Sequence, residues 1–251
     1  MEKFNETVKT RTQLLQLVNQ KLETYYAETK TLKVSSEWDI EAIRAEAQNF
    51  NLEGGNQAES VLQHTIEGLS KFAVQTPHPN YFGLFNPRSN FASILGDLIA
   101  ATMNPQLAAW SHSPFANEIE RYLIQEFGQK FGYKKEAIDG TFCTGGAESN
   151  LTAVICALNE HFPDFNEKGI LGIGKLPIIY CSQESHHSIA KAAKATGLGT
   201  QAVRSIEVNE ALQINTQLLQ AQIQKDRQNG HQPFMIIGTA GTTGVGAIDD
   251  L

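Results

Sequence analysis

Apolar residues recur at helical spacing through the first third of the chain. Leu14, Leu15, Leu17, Val18, Leu22 and Tyr25 lay one apolar face along a helix over 12–26. Ser60 to Phe72 repeats the pattern. Between them, Ser36 with Asp39 three positions on reads as a capped start for a helix through 38–43. Such segments bury little by themselves. Residues 1–75 are therefore expected to form a helical arm, packed on a larger body or on a partner subunit.

The texture changes at Thr76. Thr76 to Gly83 and Phe85-Asn86-Pro87 are rich in Pro, Gly and aromatic residues, and their X-Pro steps disfavour helix, so a loop is predicted. Phe91 to Met103 reads as an apolar helix, 110–114 as a loop and 118–131 as a helix. From Gly140 the period alternates. Strands are predicted over 140–144, 176–181, 201–208 and 234–238, with helices over 148–161, 187–196 and 212–228. That alternation predicts an α/β body over 76–251 with a mainly parallel sheet, whose functional residues belong at the C-terminal strand ends.

Composition narrows the field. A net charge of −7 without a Lys/Arg-rich run argues against nucleic acid as a partner. No apolar run reaches bilayer length, and Met1 to Glu6 lacks the apolar core of a signal peptide. Cys143, Cys156 and Cys181 have no metal-type spacing, so no metal site is expected; they read as free thiols in a reducing cytoplasm. Asp249, two residues before the last, reads as the N-cap of a further helix, so the sequence is expected to be the N-terminal portion of a longer chain.

Four constellations carry candidate chemistry. Thr144-Gly145-Gly146-Ala147-Glu148-Ser149-Asn150 is a small-residue turn opening into a helix. It is either a tight connection or an anion site, where glycines admit a ligand to the backbone and first-turn amides face it. It has neither the Gly-x-Gly-x-x-Gly nor the Gly-Lys-Ser/Thr pattern of nucleotide sites. His186-His187 follows a buried strand; the pair is either an exposed helix start or a source of one imidazole that lies flat on an aromatic cofactor. Neighbours in a starting helix diverge, so at most one is expected to face a site. Gly238 to Gly246 sets three threonine hydroxyls among four glycines, as a flexible loop or a ligand wall. His78-Pro79-Asn80-Tyr81-Phe82-Gly83 is a surface loop packed by its own rings or the lining of a substrate entrance.

Taken in order, these motifs with Trp110-Ser111, Ser113-Pro114, Glu118 and Glu120 resemble the group II pyridoxal-5′-phosphate-dependent amino-acid decarboxylases, from about residue 70 onward. The resemblance implies a type I, aspartate-aminotransferase-like large domain working as a homodimer. It implies that Gly145, Gly146 and Ala147 hold the cofactor phosphate, that His186 stacks on the pyridine ring, and that Thr243 lies against cofactor and substrate. It implies that His78, Pro79, Tyr81 and Phe82, with help from Trp110, contact an amino-acid substrate. In the family the pyridine-pairing Asp and the Schiff-base Lys come later than Leu251, and Asp249, Asp250, Lys191 and Lys194 do not match them. The 251 residues alone are therefore expected to be inactive. A transaminase-like enzyme sharing the cradle, a short non-catalytic relative and a domain for some other phosphate are the alternatives.

Overall fold

A computed structural model describes residues 6–50, 53–83, 85–86 and 88–251. Pro87 of the aromatic loop and the first five residues lie outside the described residues. The chain divides into two compact units, 1–99 and 100–251.

The first unit is helical. Helix α1 (Val8–Glu28) begins four residues before the predicted start, because the Thr7 hydroxyl accepts from the Thr10 amide and caps it. Helix α2 (Ile40–Ala47) is capped by Asp39, whose carboxylate accepts from the Ala42 amide at 3.0 Å. The expected cap, Ser36, instead donates to the Phe72 carbonyl. Helix α3 (Ala58–Phe72) lies against α1, with Lys21 Nζ 2.8 Å from the Glu67 carboxylate. None of α1, α2 and α3 contains a buried residue, apart from the caps and turns that follow them. Their apolar faces are half-buried, at Leu14, Leu17, Val18 and Leu22 of α1 and Val61, Leu62 and Ile66 of α3, and polar ties add to that packing. Buried Gln75 accepts from the Tyr25 hydroxyl at 2.8 Å and donates to the Ser70 and Ala73 carbonyls. Helix α4 (Phe91–Met103) follows, and the division between units falls within it.

The second unit holds the α/β body. Helix α5 (Pro114–Lys130) starts four residues earlier than predicted, since Pro114 needs no amide partner in a first turn. Trp110–His112 is a short 3₁₀ turn rather than irregular loop. Then come α6 (Gly146–His161), α7 (Phe165–Lys168), β1 (Pro177–Ser182), α8 (Ser188–Ala195), β2 (Val203–Ile206), α9 (Thr216–Gln228) and β3 (Gln232–Ile237). Both strand pairs are parallel, in the order β2-β1-β3. β3 passes through Pro233, which cannot donate to the ladder, and the β1–β3 register shifts beside it at Ile178/Ile179. The strand predicted over 140–144 does not form: those residues have no ladder partner among the described residues.

The central strand explains the core. All six residues of β1 are buried, and alternate side chains face opposite ways. Ile179 and Cys181 pack with Val154, Leu158 and Phe162 of the α6 region and with Ile189, Ala192 and Ala193 of α8. Ile178 and Tyr180 pack with Ile206, Ile214 and Leu219 on the other face. Helices thus cover both faces, as a parallel sheet requires. Each large apolar side chain buried this way contributes about 1.5–3 kcal/mol. Among the described residues no helix is long and apolar enough to cross a membrane.

Candidate active site

Helix α6 starts at a glycine pair without a capping side chain. Gly145 sits at the N-cap with φ 176° and ψ 170°, an extended backbone that any residue adopts. A Cβ built on Gly145 or Gly146 would meet no atom within 4 Å. Neither local backbone nor packing therefore demands glycine at 145. What its absent side chain provides is open space beside first-turn amides that point out of the helix. The α1, α2 and α9 starts contrast with this: Thr7, Asp39 and Asn215 cap each of them. Glu148, in the first turn, stabilises the approach to the helix. Its carboxylate accepts from the Thr144 hydroxyl at 2.6 Å and the Thr144 amide at 2.7 Å, and these bonds hold it below the ordinary carboxylate range.

The histidine pair lies just beyond β1. His186 is half-buried and His187 exposed. Their rings do not diverge as expected but lie 4.0 Å apart, inclined by 38°. Repulsion from His186, then from Lys191, holds the His187 imidazole below its usual pKa. His186 Nδ1 is 2.8 Å from the Ser188 hydroxyl and accepts from the Ser188 amide at 3.2 Å. Asn150, in the second turn of α6, donates to that same hydroxyl at 2.7 Å. Two hydrogen bonds therefore join the helix that opens at the glycine pair to the imidazole ring.

The third motif closes in beside them. Beyond β3, Thr239 Oγ1 is 3.1 Å from the Ser185 hydroxyl, which in turn lies 3.3 Å from that of Ser182. The 239–249 segment is folded rather than flexible. Gly241 and Thr242 both donate to the Ala247 carbonyl, and Gly241 takes φ +89°, where a side chain would be strained. The two adjacent threonines separate in role. Thr242 is 1% exposed and its hydroxyl accepts from the Ala247 amide, whereas Thr243 is exposed. Asp249 does not wait as a free helix cap: it accepts from the Ile214 amide at 2.6 Å and the Thr239 amide at 2.8 Å, pinning this loop to the turn before α9.

Gly145, Gly146, Ala147, His186 and Thr243 thus share one unit, at the carboxyl ends of β1 and β3 or linked to them. His78, Pro79, Tyr81 and Phe82 belong to the other unit. There His78 is buried, with Nδ1 accepting from the Asn80 amide at 2.9 Å, and the Tyr81 ring lies so close over Gly83 that a Cβ would clash at 2.6 Å. Phe82 is 90% exposed. Trp110 is exposed and donates its indole N–H to Glu118 at 2.8 Å. Lys191 and Lys194 lie on the exposed face of α8, opposite Ile189, Ala192 and Ala193. Sequence reasoning missed the parts played by Asn150, Ser185, Ser188 and Asp249. A polar residue two positions after a histidine was a usable signal for one of them, since its amide reaches Nδ1 at both His78 and His186.

A family model described as the pyridoxal-dependent decarboxylase conserved domain matches residues 44–251. The mouse protein named acidic amino acid decarboxylase GADL1 is 30% identical over 215 residues, which are 86% of this chain and 38% of the mouse protein. Among solved structures, mouse CSAD in its apo form superposes with a TM-score of 0.87 at 25% identity, covering 98% of this chain and 52% of that one. Oryza sativa TDC, solved with PLP and tryptamine, shares the fold with a TM-score of 0.85 at 20% identity over 97% of this chain and 51% of that one. The chain therefore spans about two fifths of the curated relative and about half of each solved neighbour.

Proposed function

Because the chain belongs to the pyridoxal-dependent decarboxylase family, we propose that it supplies the phosphate cradle and ring platform of an enzyme that releases carbon dioxide from an amino acid. The observation that carries this reading is the link Asn150–Ser188–His186, which ties an uncapped, glycine-opened helix to an imidazole beside it. The first-turn amides at Gly146 and Ala147 bind the phosphate ester, where the helix dipole favours negative charge. His186 covers one face of the pyridine ring, and exposed Thr243 meets the cofactor and the substrate. When bound, pyridoxal phosphate supplies the electron sink that lets an α-carboxylate leave.

The finer assignments follow from the same reading. The His78, Pro79, Tyr81 and Phe82 loop and Trp110 contact the substrate side chain. The Schiff-base lysine and the pyridine-pairing carboxylate are not among these 251 residues, and the working enzyme is a cytoplasmic homodimer. Acidic amino acids head the list of substrates, because the mouse relative carries that name. Arg88, which follows the aromatic loop, is the basic group nearest in sequence for their side-chain carboxylate, and its guanidinium lies 4.6 Å over the Tyr26 ring.

The test is carbon dioxide release by the full-length protein, loaded with pyridoxal phosphate and offered a panel of amino acids. Release from one substrate class, lost in His186→Ala, supports the proposal. Amino-group transfer without carbon dioxide overturns it. Borohydride reduction separates the two halves: the full-length protein is expected to give one stoichiometric lysine adduct and the 251-residue chain none.

A further inference from the structure

The ring nitrogen of His186 that faces α8 is surrounded by donors. The Ser188 amide, whose proton cannot be moved elsewhere, points at Nδ1 from 3.2 Å. A backbone N–H favours a lone pair opposite it, so at 3.2 Å the amide biases the neutral ring toward a bare Nδ1, and the Ser188 hydroxyl decides how far. The Ser188 hydroxyl sits 2.8 Å from the same atom and is buried, with 1% of the residue exposed. Its oxygen already accepts from Asn150 Nδ2 at 2.7 Å, which turns the hydroxyl proton toward the ring. Every donor in the row therefore runs one way, from Asn150 to Ser188 to His186.

We propose that Asn150 and Ser188 are positioning residues that fix His186 in the tautomer with its proton on Nε2. This rests on the reading of His186 as the ring platform. It goes further in making the tautomer a property of α6, the same helix that opens at the phosphate cradle. Ligand grip at the helix start and the hydrogen-bonding edge of the platform are then coupled through one side chain, Asn150. The neutral ring presents an N–H donor at Nε2 and no lone pair there, so the edge left free can donate to a cofactor or substrate oxygen and cannot accept.

Asn150→Asp tests the direction of the row, because it changes the chemistry of one atom and almost none of the shape. A carboxylate at 150 accepts the Ser188 proton, leaving a hydroxyl lone pair opposite Nδ1 and favouring a proton on that nitrogen. Full-length protein labelled with ¹⁵N-histidine is observed by nitrogen NMR without cofactor, at a pH well above the ordinary histidine pKa of about 6.5. The His186 signals are assigned by their loss in His186→Gln. The wild-type protein is expected to show a protonated Nε2 and a bare Nδ1, Asn150→Asp a population protonated at Nδ1, and Ser188→Thr the wild-type pattern. An Asn150→Asp spectrum identical to wild type overturns the proposal, as does a wild-type ring protonated at Nδ1. Cofactor titration of His186→Ala separates the two readings: unchanged affinity there removes the platform reading and leaves the tautomer result standing.

Discussion

Asp226 is 1% exposed and keeps its charge. Burial works against ionisation, but hydrogen bonds from Arg204, Gln222, His231 and Tyr180 outweigh it and hold the carboxyl well below the usual range. The closest is Arg204 Nη2 at 2.7 Å, on a side chain itself only 23% exposed. Tyr180 responds in the opposite sense: burial first, then Asp226, pushes its hydroxyl well above the ordinary phenol range. Removing one member of a buried pair strands the other, so Asp226→Ala is expected to cost about 3 kcal/mol in urea unfolding. The pH dependence has a definite sign. A carboxyl depressed in the folded protein contributes its full stability above the unfolded value of about 3.9 and loses it as the pH falls from there toward the folded value. The urea midpoint of wild type is therefore expected to drop on acidification below about pH 4, and that of Asp226→Asn to drop less. Parallel acid limbs would remove Asp226 from the account of acid stability.

Elements show which parts of the site belong to folding and which to ligand. A Cβ on Gly145 meets nothing, and the backbone there is ordinary. Gly145→Ala is therefore expected to change stability by no more than about 0.5 kcal/mol. The same variant is expected to weaken pyridoxal phosphate binding to the full-length protein by about tenfold, equivalent to one lost hydrogen bond of ~1.4 kcal/mol. Thermal unfolding and a fluorescence titration measure the two effects separately, and a stability loss without an affinity loss would make the turn structural. The Thr242/Thr243 pair makes a matching contrast. Thr242→Val strips a buried acceptor from the Ala247 amide and is expected to cost about 1–2 kcal/mol, whereas Thr243→Val leaves the unfolding midpoint in place and lowers turnover. Sequence alone could place the histidines and the threonine loop at strand ends, because a buried strand followed by Gly, Ser and Thr is a local pattern, and it could place the glycine turn at a helix start but not after a strand. It could not separate Thr242 from Thr243, which depends on which hydroxyl a returning amide reaches. Nor could it see that 140–144 goes unpaired or that Asp249 bonds across 35 residues to Ile214, since both depend on distant partners. Helix ends moved for local reasons that were present but misread, namely the caps at Thr7 and Asp39 and the proline at 114.

At the scale of the whole molecule, apolar surface left in solvent decides what the chain does in solution. Phe91, Leu95, Leu98, Ile99 and Met103 fall within one stripe of α4, and all are exposed, Phe91 by 61% and Met103 by 74%. On α5, Phe115 and Phe131 are each 79% exposed. Monomers rarely leave contiguous apolar surface of this kind uncovered, so the 251-residue chain is expected to bind a hydrophobic dye and to associate as its concentration rises. If a second copy of the full-length protein covers the α4 stripe, a charge placed there must be buried against that copy. Leu95→Glu is then expected to raise the dimer dissociation constant at least tenfold, the equivalent of about 1.4 kcal/mol. Sedimentation of full-length wild type and variant over a concentration series measures that shift. A variant that sediments as wild type but unfolds at lower urea places the stripe inside a single longer chain. A variant unchanged in both would show that the stripe needs no cover at all, against the general cost of leaving large side chains in water.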